Sequence, residues 1–570
     1  MTTENDNTAI GYNALGAEVS GFRNVAVGSS AGTTQNGASN NTLVGYVAGG
    51  AITTGAANTF IGSDCGDATT TADNNTAVGS QAMGANTTGA SNVAVGKDAL
   101  TANTTAGSNT ALGAFSLDAT TTGGSNTAVG ANALGANTTA AFNSALGDNS
   151  LATNTTGASN VGLGYHALRL NQTGSNNVAI GASDNSSVGA ALGALTTGGN
   201  NTAVGQGALT SQTTSSSNTA VGYSAARDLT TATGTCAIGA SALERVTTAT
   251  NNTAFGAAAC KLNTSGASNT GVGNGVLFEN TTGDNNTAVG QAALQNAASS
   301  NNTAVGQNAG TSVTTGASNT FVGYAAGDAI TTTTRNCIIG DSAGTAVTSS
   351  DNTFVGQNSG AAMPTSNPGD ANTFLGRYNG NEGSLDLRNS SNNIVLSDGD
   401  GNPRLHINAS GTTNMLDLNI NSTGSGDVAN AIRFDRNSDI NSGGDVRFVV
   451  FSSGNVQNTN NSYAGISDIK LKENVVDATN KLDELNQVKI RNWNFIGETK
   501  KQIGVVAQEL ELIFPGLVET IPDTDKDGND LGTETKSVKY SVFVPMLIKA
   551  MQEQQTLIES LTARITTLEG

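Results

Sequence analysis

Small apolar and polar positions recur along most of this chain with a period much longer than that of a helix or a strand. The pentapeptide NTAVG, with variants, starts at residues 7, 24, 41, 58, 75, 92, 109, 126, 143, 160 and 177, each step being 17 residues. After one step of 24 it resumes at 201, 218, 235, 252, 269 and 286, then continues at 302, 319, 336, 352, 372 and 393, which makes 23 units. A fixed period of this size marks coils that bury their apolar sides only by stacking on one another. Seventeen residues are too few for a helical hairpin, the apolar positions are β-branched or small, as at Val78, Val95, Val129 and Val204, and no window carries a 3.6-residue period. The coils are therefore predicted to be β.

A second apolar pair follows seven and eight residues after the leading asparagine, as Ala14 with Leu15, Ala82 with Met83, Ala133 with Leu134 and Ala293 with Leu294. This predicts two short strands per coil, separated by solvent-facing polar loops such as TTGASN, whose glycine and asparagine accept positive φ. Within NTAVG the alanine and the valine fall on opposite faces of a strand, and both are apolar. We expect a strand buried on both sides, with one face inside the coil and the other against a partner chain, where alanine lets backbones approach closely. Three chains side by side about an axis satisfy that demand. With strands about 4.8 Å apart, a stack of 23 coils would run roughly 110 Å. The strand motif resembles the NSVAIG strand in the head repeats of trimeric autotransporter adhesins, which form parallel β-rolls.

Composition agrees with stacked coils rather than a conventional core: 72 glycines, 4% aromatic and 12% charged residues. Stacked asparagine and threonine ladders can satisfy one another in their place. Residues 467–570 hold 12 Lys/Arg and 17 Asp/Glu, leaving 13 and 27 for the 466 residues before them. A formal net charge of -19 argues against a nucleic-acid partner and against an anionic membrane surface. A polar, neutral ligand such as a glycan suits it better. Of the four cysteines, Cys65 falls in the alanine slot of the repeat, Cys260 in the leucine slot and Cys236 and Cys337 in the threonine slot, and they show no zinc spacing. They read as coil residues, and no cofactor is expected.

Residues 384–466 lose the period and read as alternating strands, with DGDGN from Asp398 to Asn402 as a hairpin turn. This predicts a small distal β-domain, in which His406 is a packed strand residue rather than a catalyst.

The last hundred residues change character again. Ser467 and Lys472 lie five residues apart at their start. A serine becomes nucleophilic when a neighbour takes its proton, and a lysine can do so when burial lowers its pKa. On spacing alone, a helix-capping serine beside a solvated surface lysine is the better reading. The segments SDIKLKEN, LDELNQVKIRNWNF, IGVVAQELELIFP and VKYSVFVPMLIKAMQEQ, in their order and spacing, resemble the C-terminal intramolecular chaperone domain of phage endosialidases and many tail fibres. That resemblance covers 467–570. It implies a trimerising module that helps an intertwined fibre fold and then cuts itself off between Ile466 and Ser467, with Ser467 as nucleophile and Lys472 as general base. Lys470 is a second amine close by, and like-charge proximity would help keep Lys472 neutral. This is single-turnover autoproteolysis, and no activity on an external substrate is expected.

Two further features lie inside this module. DTDKDGNDLGTE, Asp523 to Glu534, has the spacing of an EF-hand loop, but its flanks LVETIP and KSVKYSVF read as strands rather than helices. An acidic hairpin turn fits better, and no metal is assigned. Leu547, Met551, Gln554, Ile558, Leu561, Ile565 and Leu568 alternate steps of four and three, the seam of a coiled coil. The first half of this helix can also pack on its own domain.

The expected fold is therefore mainly β: a trimeric parallel β-roll or β-solenoid fibre over 1–383, a distal β-domain over 384–466, and an α+β chaperone over 467–570 ending in a trimeric coiled coil. The expected function is that of a viral (phage) tail fibre, a homotrimer that contacts other tail or virion proteins and binds a host surface receptor, glycan or protein. A polysaccharide-cutting tailspike and a purely structural shaft are the alternatives. MTTENDNTAI lacks the basic and apolar regions of a signal peptide, and no apolar run reaches transmembrane length. We therefore expect assembly in the host cytoplasm and no membrane insertion, with docking to the virion through the first coils or an adaptor.

Overall fold

The computed structural model describes residues 6–184, 189–364, 369–382, 385–407, 430–435, 446–451, 456–458, 472–496, 499, 501–524 and 530–570. The chain divides into two units, Met1–Ile432 with Val450–Asn455, and Arg433–Val449 with Val456–Gly570.

The first unit is a β-solenoid. One residue after each predicted repeat start comes a three-residue strand, from β1 (Thr8–Ile10) to β22 (Thr373–Leu375). Each strand lies parallel to the next in unbroken register, so that Thr42, Leu43 and Val44 stand beside Thr59, Phe60 and Ile61. The long step does not disturb it, because Val178, Ala179 and Ile180 still stand beside Thr202, Ala203 and Val204. A small antiparallel pair, β23 (Asn381–Glu382) and β24 (Leu385–Asp386), follows. The parallel stack then continues in β25 (Ile394–Ser397), which returns as the antiparallel β26 (Pro403–Ile407). The DGDGN hairpin is thus present. Its turn is held by Asp398 Oδ1, which accepts the Asp400 and Asn402 backbone N–H groups at 3.1 and 2.9 Å.

The coil differs from the sequence expectation in two ways. It has one strand, not two, because the second apolar pair lies in a turn: Leu15, Met83, Leu134 and Leu294 have φ of 49°, 56°, 52° and 48°. The left-handed backbone curls the chain there while the side chain stays buried in the coil. The faces are also the reverse of the close-approach argument. The central alanine of the strand is buried inside the coil, whereas the flanking threonine and valine point outward and are half-exposed or exposed.

The leading asparagines, which belong to loops predicted to be solvated, are buried almost throughout. Asn58 shows why. Its backbone N–H donates to Asn41 Oδ1 at 2.9 Å, its own Oδ1 accepts the Asn75 N–H at 3.0 Å, and its Nδ2 donates to the Ala72 carbonyl at 2.8 Å. One amide therefore ties three coils, and an unpaired buried group at such a position costs about 1–3 kcal/mol. Thr235 interrupts the ladder: its N–H still donates to Asn218 Oδ1 at 2.9 Å, but its hydroxyl is buried without a partner. The glycine that closes the motif is forced by the stacking. Gly96 has φ 140°, and a Cβ there would lie 2.5 Å from the Gly113 carbonyl oxygen.

Volume is exchanged within many coils, although Ala26 with Gly32 and Ala304 with Gly310 are both small and are filled by Leu43 and Phe321 of the next coil. Where the strand centre is Ala77 or Ala94, the turn supplies Met83 or Leu100; where it is Phe60, Phe321 or Phe354, the turn supplies Gly66, Gly327 or Gly360. A Cβ on Gly66 would lie 2.6 Å from the Phe60 ring. Constant packing density requires this pairing of large with small.

The second unit is entered through a run of short strands, β27 (Asn430–Asp435), β28 (Val446–Phe451) and β29 (Val456–Asn458). Beyond it come α1 (Leu482–Leu485), β30 (Arg491–Trp493) paired antiparallel with β31 (Gln502–Gly504), and α2 (Ala507–Glu511). Then β32 (Val518–Thr524) pairs antiparallel with β33 (Asp530–Val538), and α3 (Phe543–Glu569) closes the chain. Val505, Leu510, Phe514, Leu517 and Met546 make its small core. The flanks of the EF-hand-like segment are strands, as the pattern predicted, and its Asp525, Asp527 and Gly528 lie outside the described residues.

Candidate functional site

The expected cutting site, between Ile466 and Ser467, precedes α1 in the sequence. Ile466, Ser467 and Lys470 lie outside the described residues, and Lys472 is exposed. What the structure does place is the body of the module behind that dyad.

Its start is clamped to its end. Glu553, on α3, accepts the backbone N–H groups of Lys481 and Leu482 at 3.0 and 2.9 Å, satisfying donors at the mouth of α1. Arg491 makes a two-pronged pair with Glu509, Nε and Nη2 donating at 3.0 and 2.7 Å, and this pair holds the Glu509 carboxyl below its ordinary pKa. The Tyr540 hydroxyl accepts the Val505 N–H at 3.1 Å. Between these elements an apolar groove of about 460 Å³ is lined by Leu485, Val488, Tyr540, Phe543, Leu547 and Met551.

The helix α3 uses two faces. Met546 and Ala550 are buried against the module's own core. The predicted seam is not: Leu547, Met551, Ile558, Leu561 and Ile565 are 50–67% exposed and Leu568 is 85% exposed. An apolar stripe of this length at coiled-coil spacing is what a strand of a multi-helix coil presents when considered alone.

A family model for the chaperone of endosialidase matches residues 467–519. The C-terminal region carries a chaperone-of-endosialidase domain. The match begins at Ser467 and runs through α1, β30, β31 and α2 into β32. No curated protein and no solved structure matches the chain.

A second cluster was not visible in the sequence. Near the last coils of the solenoid, Asn358, Arg377, Asn379, Glu382 and Asp400 line a polar cleft of about 310 Å³, floored by Ala361 and Ala362. Its residues come from separate turns, 42 positions apart at the extremes, so no local motif announces it. Asn379 Nδ2 donates to Glu382 Oε1 at 2.7 Å, which fixes one wall. His406, by contrast, is buried as predicted, with Nε2 3.0 Å from Asn393 Oδ1 at the end of the asparagine ladder. Cys65 and Cys260 are buried inside the coils, and burial pushes both thiols up to about 12. Among the described residues no cluster of metal-binding side chains occurs.

Proposed function

We propose that the chain is a tail-fibre subunit of a phage-like particle, made as a homotrimer whose chaperone domain drives assembly and is then released by autoproteolysis. The observation that carries this reading is the chaperone-of-endosialidase match at 467–519, in a chain whose earlier part is a long β-solenoid. The open seam of α3 supports it, since three such helices cover one another's apolar stripes. Coils stacked from non-local contacts find register slowly, and a templating module shortens that search.

In this reading association buries the segment around Lys472, which is exposed in the single chain. Lys472, as general base, accepts the proton of the Ser467 hydroxyl. The Ser467 oxygen attacks the Ile466 carbonyl, an ester bond forms, and the Ile466–Ser467 peptide bond breaks as its nitrogen takes the proton back. Water then hydrolyses the ester and frees the module. The mature trimer is left without its folding template, and its stability becomes a matter of unfolding rate.

The mature part binds a surface glycan, and the polar cleft around Arg377 and Asn379 offers a recess of hydroxyl-matching groups. One observation favours a cutting tailspike instead: Glu382 and Asp400 line that same cleft, and glycoside cleavage generally uses two carboxylates. Incubating the cleaved protein with host capsule separates these readings. Retention on the polysaccharide without new reducing ends is expected, with about a tenfold loss of binding in Arg377→Ala, as for losing one charged hydrogen bond. New reducing ends would make the protein a depolymerase, and no retention at all would leave it a shaft.

A further inference from the structure

We propose that copies of this chain meet along the outward face of the strand ladder, in register, with the third residue of each three-residue strand as the central contact. The inference rests on the trimer reading above and adds which surface of the solenoid makes the shaft.

Parallel strands are ordinarily covered on both faces. Here the inner face is covered by the coil itself, while the outer face is a column of Val, Ile, Leu and Phe left half-exposed or exposed among the described residues. Ile10, Leu112, Leu146 and Phe255 are 59%, 46%, 49% and 55% exposed. Across β1 to β22 and β25 no first or third strand position holds a charged residue. The solenoid does carry charges, such as Asp98, Arg227, Asp228 and Glu244, but they lie on its turns. At roughly 40 Å² of apolar surface for each half-exposed side chain, the column offers on the order of 900 Å² per copy, comparable with what a stable interface buries on one partner.

Its spacing selects the occupant. Side chains repeating every ~4.8 Å along twenty-two rungs meet matching ridges only on another stack of the same rise, which a second copy of this chain supplies. In-register contact also sets each irregular rung, such as Phe255, against its own equivalent.

The chain holds its own reporters. Cys236 and Cys337 occupy the first, outward position of their strands and are half-buried, whereas Cys65 and Cys260 are enclosed in the coils. Treating the cleaved protein with a short bis-maleimide should give covalently joined chains on a denaturing gel, with Cys236 linked to Cys236 and Cys337 to Cys337 by peptide mapping. Cys236→Ser/Cys337→Ser should abolish the linkage. As an independent arm, Val289→Asp/Val305→Asp places like charges on the face and should reduce the light-scattering mass to one chain, while Thr105→Asp at an exposed bend should not. An oligomer that keeps its mass in the Val→Asp variant, with both outward thiols capped rapidly by a monofunctional maleimide and never linked, overturns the inference and leaves the trimer reading intact. A monomeric wild-type protein overturns both.

Discussion

Ser467→Ala should yield a single 56.8 kDa chain on a denaturing gel, where the parent gives two pieces. The effect is all-or-none, because the serine oxygen forms the intermediate bond and no other group at that position can take its place. Lys472→Ala should behave the same way, since without a base the hydroxyl does not attack. Both variants should still assemble, because association precedes cutting. An uncut parent under native folding conditions would contradict the dyad, and a Lys472→Ala variant that cuts normally would move the base to Lys470. The uncut variants also separate folding from trapping. Once unfolded, they should refold in better yield than the cleaved protein, which has lost its template.

The second large effect concerns the coil interior. Phe60→Ala removes a buried ring and should cost about 3–5 kcal/mol. Gly66→Leu alone should also destabilise, because its Cβ would stand 2.6 Å from that ring. Together the two changes recreate the arrangement of Ala94 with Leu100, whose φ of 54° matches the 57° of Gly66. The double variant should therefore recover most of the loss, a coupling of several times the error of an additive estimate. Guanidinium unfolding of the four proteins measures this directly. Additive losses would mean that the two positions do not share one volume.

These cases show where the chain's sequence is transparent. Period and register were legible because each coil repeats one strand, and a step of 17 leaves no other parallel pairing that keeps Asn on Asn. The DGDGN hairpin and the strands flanking the EF-hand-like segment were legible because turn residues act locally. The direction of the alanine was not, since both strand faces are apolar and alternation alone does not say which is inside. The second pair looked like a strand because Ala-Leu is apolar. Only the stack shows that Leu15 and its equivalents adopt positive φ, a conformation that a leucine accepts when its side chain is buried. The signal that could have found this was present: Gly66, Gly327 and Gly360 take the same slot, and glycine in place of leucine points to a left-handed turn beside a bulky neighbour. The polar cleft had no such signal, because its residues are assembled by stacking rather than by spacing.

The central claim is that identical solenoids associate three at a time under a disposable chaperone. Multi-angle light scattering of the cleaved protein in dilute buffer tests it most directly. The account predicts three times the mass of the processed chain, unchanged on dilution, and a stable species with the mass of one chain would contradict it.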